Sequence, residues 1–200
     1  MKASSSGTPT SKTSAGAARA STSSHFELFG LASAYAVDRA ALEQAYQDLQ
    51  ALIHPDRHAQ AGDAERRASM QMTTRVNEAY RTLKDPVQRG KYLLELHGVD
   101  VAFETNTQMP TDFLLQQLEM REELDGSVQK KDFSFLDSLK AKLKIQKDSL
   151  ETSIGESIDA SKDYEGAAGL VRKLMFLQRM DEEVDAAYER IEFVEPQKPG

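Results

Sequence analysis

Apolar residues recur along most of this chain at steps of three and four, the repeat of one face of an α-helix. One series is Leu42, Ala45, Tyr46, Leu49, Leu52 and Ile53, and a second is Met72, Val76, Ala79, Tyr80 and Leu83. Between them stands His54-Pro55-Asp56. Proline disfavours helix in the residue before it, so the chain should leave the first helix at His54. The pattern predicts a helical hairpin with His54 and Asp56 near the tip of its connection. Asp38 has the chemistry of an N-cap, with Val37 and Leu42 placed as a hydrophobic staple, so the first long helix is expected from about Asp38 to Ile53. After a loop over 54–62, Asp63 should cap a second helix running to about Lys84. Asp85-Pro86, a cap followed by proline at the first helical position, should open a third helix that closes near Gly98. Upstream, the apolar run His25 to Leu31 predicts a short helix or turn ending near Gly30.

Residues 99–110 show little pattern and are expected to be a linker. Pro110-Thr111-Asp112 opens a second helical region, with one helix to about Asp125. A long helix follows, carrying Leu136, Leu139, Leu143, Leu150, Ile154 and Ile158 on one side and Lys140, Lys142, Lys144 and Lys147 on the other. The last helix is expected from near Ser161 to about Phe193. Three helices on short connections favour an antiparallel bundle. No β-type alternation persists, so the expected fold class is all-α: a helical hairpin with short helices, then a C-terminal antiparallel three-helix bundle over 111–195.

The helix after Pro110 has two apolar faces. At about 100° per residue, with Phe113 at zero, Met120 and Leu124 fall within about 20° of it and form a stripe suited to a core. Leu114, Leu118 and Leu115 fall near 100°, 140° and 200°, bordered by Glu122 near 180° and Glu119 near 240°. The second face is either a very wide core contact or a docking surface rimmed by acid. Geometry alone favours the wide core.

Composition narrows the function classes. A chain of 200 residues is enough for one large or two small domains. The net charge of −7 argues against nucleic acid, whose partners are usually basic. No apolar run approaches a membrane span. Cysteine is absent, which excludes disulfides, thiol catalysis and any cluster held by the chain's own thiolates. Residues 1–24 hold Ser or Thr at half their positions, with Lys2, Lys12 and Arg19, no acid, and no large apolar residue beyond Met1. Such a segment buries too little to offset chain entropy and is expected to be disordered. It makes a poor transit peptide, since its basic residues lie on no apolar helical face. Pro196 and Pro199 mark a frayed tail over 196–200. His54, Asp56 and His58 could donate to a metal, but no fourth ligand or second cluster accompanies them. His54 as a catalytic base lacks a nucleophile or oxyanion motif beside it. His25 and His97 are isolated and read as structural, and the lysines at 140–147 as a solvated face. No cofactor or enzymatic chemistry is indicated.

A helix pair joined by His54-Pro55-Asp56, with Tyr46 before it and Asn77-Glu78-Ala79-Tyr80, Leu83 and Asp85-Pro86 after it, resembles the J domain of DnaJ-type co-chaperones. Phe113 through Asp125, with Arg121-Glu122-Glu123-Leu124-Asp125 at its end, is similar to the first helix of the C-terminal domain of the HscB family, called Jac in yeast mitochondria. Val171 to Leu177 resembles that family's last helix, and Tyr92-Leu93-Leu94-Glu95-Leu96-His97-Gly98 the end of its J domain. The resemblance covers roughly residues 25–193 and sets the expected J domain at 25–98.

It implies a co-chaperone rather than an enzyme. His54, Pro55 and Asp56 would stimulate ATP hydrolysis by the DnaK-type chaperone HscA. Leu114, Leu115, Leu118 and Phe176, with Glu119 and Glu122 at the edge, would bind the iron–sulfur scaffold IscU. Phe176 lies off the apolar side formed by Leu170, Leu174, Leu177 and Tyr188. One departure stands out: the helix before the triplet carries only Arg39, so electrostatic steering must come from Arg57, Arg66, Arg67 and Arg75 or be weak. The lack of cysteine separates the chain from animal relatives with an added zinc module and favours a bacterial-type, cytoplasmic protein, expected to be a monomer. The alternative is a general J-protein whose helical domain docks another client or dimerises.

Overall fold

In a computed structural model, the chain is described over residues 24–53, 62–101 and 110–193. Every regular element among them is helical. They are α1 (His25–Leu28), α2 (Arg39–Ile53), α3 (Asp63–Lys84), α4 (Pro86–Leu96), α5 (Thr111–Lys130), α6 (Phe133–Gly155) and α7 (Tyr164–Phe193), with a widened π-type turn at Glu156–Ser161 between the last two. By internal packing the chain divides into two units. One contains Val37–Asp85 and the stretch up to Ser33; the other contains Ala34–Ala36 and everything from Pro86.

In the first unit α2 and α3 pack together and α1 packs on α3. A capping box starts α1: the Ser24 hydroxyl accepts from the Glu27 N–H, and the Glu27 carboxylate accepts from the Ser24 N–H. The element is one turn long, and Gly30, with φ of +66°, turns the chain away. Asp38 caps α2 as its position suggested, its Oδ1 accepting from the N–H groups of Ala40 at 2.9 Å and Ala41 at 3.1 Å. Asp63 does not cap α3. Gly62 holds the cap position without a side-chain bond, and Asp63 stands one residue inside the helix, where it pairs with Arg66. A carboxylate in the first turn still favours the helix through the macrodipole. Phe26, Leu42, Val76, Ala79 and Leu83 are buried. Tyr80, expected in the core, is only half-buried, because its hydroxyl takes polar partners at the hairpin's edge.

In the second unit α4 packs on α7, and α5, α6 and α7 form the three-helix bundle. The helix after Pro110 runs past its expected end at Asp125 to Lys130, and the buried Ser127 hydroxyl satisfies itself on the Leu124 carbonyl at 2.7 Å. Lys131, in a left-handed conformation, ends it, and the Asp132 side chain caps α6 on the Phe135 N–H at 3.0 Å. Side-chain pairs fix the register. Phe113 meets Phe176, and Arg121 meets Glu183, so α5 runs parallel to α7. Lys140 pairs with Asp185, and Lys147 with Asp181, so α6 runs against it.

The core stripe of Met120 and Leu124 joins Leu136, Leu139 and Leu143 of α6 and Leu177, Met180, Val184, Ala187 and Ile191 of α7. Beyond Gly155 the backbone widens, the Ser161 hydroxyl closing on the Glu156 carbonyl at 2.9 Å. This delays the last helix from Ser161 to Tyr164. The wide turn holds out Asp159, whose carboxylate accepts from the Tyr35 and Ala36 N–H groups at 2.7 and 3.0 Å. The buried Arg89 guanidinium lies 4.8 Å from the centre of the Tyr35 ring.

Candidate docking surface

His54, Pro55 and Asp56 lie outside the described residues, as do Arg57 and His58. The hairpin that carries them is described up to Ile53 and from Gly62 onward. Its helices are joined by a polar seam. Tyr46 stacks on Tyr80 with ring centres 3.9 Å apart. The Tyr46 hydroxyl donates to Asn77 Oδ1 at 3.0 Å, and Gln50 Nε2 donates to the same oxygen at 3.1 Å. The Tyr80 hydroxyl donates to Glu43 and accepts from Lys84 Nζ at 2.9 Å. That donation holds the Glu43 carboxyl below its usual range, and the bond to Tyr80 raises Lys84. At the end of α2 the Ser69 hydroxyl donates to the Ile53 carbonyl at 2.9 Å, satisfying one of the four carbonyls a helix end leaves open. These bonds tie α2 and α3 together. The series of Tyr46, Tyr80 and Leu83 pointed to packing, but nothing in the periodicity distinguished the hydrogen-bonded seam from a purely apolar one.

On α5 the two faces separate cleanly. Met120 and Leu124 are buried, while Leu114, Leu115 and Leu118 remain 42%, 52% and 54% exposed. The wide-core reading favoured by geometry alone is therefore overturned. One stripe suffices to hold α5 against two neighbours, so the second face has nothing left to pack on. Glu119 and Glu122 beside it are exposed. Phe176 is half-buried and meets Phe113 edge to face at 5.8 Å, at the seam of α5 and α7. Below it the Arg121 guanidinium grips Glu183 with two bonds, Nε to Oε2 at 3.0 Å and Nη2 to Oε1 at 2.9 Å. Gln117 occupies the core stripe itself and is buried.

The lysines of α6 are not one solvated face. Lys140 and Lys147 reach across to Asp185 and Asp181 of α7, the second pair at 2.5 Å and only 23% exposed on each side. Lys144 pairs within its own helix with Asp148, and Lys142 is exposed. The wheel could not show this, because it placed the lysines relative to their own axis and not to the next helix. His97 is exposed and stacks on Tyr164 with ring centres 4.0 Å apart. Burial and Arg75 push the His25 imidazole below its usual pKa. Among the described residues no group of three or more His, Cys, Asp or Glu could hold a metal, and no helix is long and apolar enough to cross a membrane.

Two family models match the chain: the DnaJ domain over residues 24–92 and the HSCB C-terminal oligomerisation domain over residues 109–185. Together they define a J-domain co-chaperone with a dedicated helical C-terminal domain. The "Co-chaperone protein HscB homolog" of Burkholderia vietnamiensis is 47% identical over 169 residues, spanning 84% of this chain and 96% of that one. The fold is similar to that of chaperone HscB from Vibrio cholerae, with 30% identity, a TM-score of 0.75, and coverage of 84% of this chain and 99% of that one. Human co-chaperone HscB is similar at 28% identity and a TM-score of 0.77, over 82% of each chain. The chain belongs to the HscB family of co-chaperones.

Proposed function

We propose that this protein binds an iron–sulfur scaffold of the IscU type and presents it to the DnaK-type chaperone HscA, whose ATPase it stimulates. The observation that carries this reading is the exposed ridge of Leu114, Leu115 and Leu118, distinct from the core stripe of the same helix and rimmed by Glu119 and Glu122. A few such apolar anchors carry most of the affinity of a small interface. Phe176 extends the ridge onto α7. In this reading the J domain spans 25–98 and the bundle 111–195, with 99–110 as linker and 1–24 and 196–200 as tails. His54, Pro55 and Asp56 contact the chaperone. Joining the two binding sites in one chain raises the local concentration of scaffold at the chaperone. Hydrolysis then traps the scaffold in the chaperone's tight-binding state. The protein acts in the cytoplasm as a monomer, with no cofactor and no catalysis of its own.

The test is single-turnover ATP hydrolysis by HscA with this protein, with and without IscU. Synergistic stimulation by the two together is expected. Stimulation indifferent to IscU would leave a general J-protein with another client. Asp56→Asn should keep scaffold binding and lose stimulation; normal stimulation by that variant would remove the triplet from the mechanism. The description of the family's C-terminal domain as an oligomerisation domain favours a second reading, in which the leucine ridge joins two copies. Sedimentation equilibrium separates the two: a dimer that Leu114→Ala, Leu115→Ala and Phe176→Ala together convert to monomer supports the second.

A further inference from the structure

The leucine ridge is bordered on one side by Glu119 and Glu122, while on the α7 side the acids Asp125 and Glu183 are paired with Arg190 and Arg121. What stands on the other side follows from the register of α5 and α7. With Phe176 at zero, the buried Met180, Val184 and Leu177 lie about 40°, 80° and 100° to one side of α7, toward the core. Glu183, which meets Arg121 of α5, lies about 20° to the other side, and Arg172 and Arg179 lie farther that way, at about 40° and 60°. On α5 the direction toward α7 is marked by Arg121 near 80°, and Leu114 and Leu118 stand just beyond it at about 100° and 140°. Both sets are therefore on the outer side of the α5–α7 seam, facing the same solvent. Height agrees. Phe113 is level with Phe176 and Arg121 with Glu183, so Arg179 stands between Leu114 and Leu118. It is exposed and makes no hydrogen bond or ion pair among the described residues. Arg172 Nη1 donates to the Val101 carbonyl at 3.3 Å, while its buried Nε has no partner.

We propose that Arg179, with Arg172 behind it, is the basic edge of the docking surface, and that the surface is polarised across the leucine ridge: cationic on the α7 side, anionic at Glu119 and Glu122. The inference rests on the docking reading above and deepens it. The partner that fits presents an apolar segment with a carboxylate on the α7 side and a cation on the α5 side. Apolar anchors alone permit the segment to dock in either direction. Opposite charges on the two borders make one direction attractive and its reverse repulsive, which is how rim charges contribute specificity and association rate more than residence time.

The experiment measures association and dissociation rates of full-length protein with IscU at low and high salt. Arg179→Glu should slow association about five- to ten-fold at low salt, with dissociation little changed and the difference closing as salt screens the charge. Arg179→Lys should associate normally. Lys144→Glu, the same charge change on α6 away from the seam, is the control and should have little effect. If Arg179→Glu associates at the normal rate while the Leu114, Leu115 and Phe176 triple variant fails to bind, the polarised edge is wrong and the docking surface stands. If Arg179→Glu and Lys144→Glu slow association equally, net charge explains the effect and the edge is again wrong. If the triple variant binds normally, the docking reading fails and the edge with it.

Discussion

Leu118 and Leu124 stand on one helix, two turns apart at most, and identical chemistry at the two positions should have opposite consequences. Leu118 is 54% exposed and Leu124 2% exposed. Leu124 packs in the cluster of Leu136, Leu139, Leu177 and Met180, and truncating it to alanine leaves a cavity that costs about 2–5 kcal/mol. Full burial of a leucine is worth about 1.5–3 kcal/mol, and the folded chain leaves roughly half of that unused at Leu118. Leu118→Ala should therefore cost less than about 1 kcal/mol of stability and, in a complex that covers the rest of the side chain, about 1–1.5 kcal/mol of affinity, a five- to twelve-fold weakening. For a bundle of this size 1 kcal/mol moves the midpoint about 4–8 °C. Thermal unfolding by circular dichroism should show Leu124→Ala falling by about 8 °C or more and Leu118→Ala by less than about 8 °C. Titration calorimetry with IscU should show the loss of affinity in Leu118→Ala. A Leu118→Ala protein as unstable as Leu124→Ala would mean the leucine belongs to the core. One that is stable and binds IscU unchanged would mean the ridge is not where the scaffold docks.

Gly90→Ala should destabilise the second unit by about 1–2 kcal/mol although alanine favours helix, because the new Cβ would stand 2.8 Å from Val171 Cγ2 and valine is stiff in a helix. Pairing it with Val171→Ala should recover part of the loss in a urea titration. Lys147→Ala removes the mostly covered bridge to Asp181 and should cost about 0.5–1.5 kcal/mol, read as a lower urea midpoint; no change would mean the pair is an idle surface contact. Burial and a 2.5 Å bond to Asp137 raise the Tyr188 hydroxyl to about 12. The folded state then keeps a proton that the unfolded chain gives up near pH 10, so stability is full below pH 10 and declines as pH rises toward 12. Tyr188→Phe should flatten that part of the decline in midpoints measured from pH 9 to 11, and an unchanged slope would contradict it.

The helices, their order and most of their boundaries follow from the sequence, because periodicity, proline and caps act within a few residues of one another. Asp38, Pro86 and Gly98 marked their boundaries for that reason. The triplet and the Arg-Glu-Glu-Leu-Asp helix likewise carried the family. One boundary slipped because a side chain answers to a distant one. The last helix waits until Tyr164 because a wide turn holds Asp159 against Tyr35 and Ala36, more than 120 positions back along the chain. The wheel found both apolar faces of α5, but which one is buried depends on how many neighbours the helix has, and that is a property of the bundle. The same holds for Lys140 and Lys147, charged residues by sequence and bridges only because α7 lays Asp185 and Asp181 beside them. Local chemistry is written in near neighbours along the chain; exposure, pairing and the outer face of the α5–α7 seam are set by contacts between residues that only folding brings together.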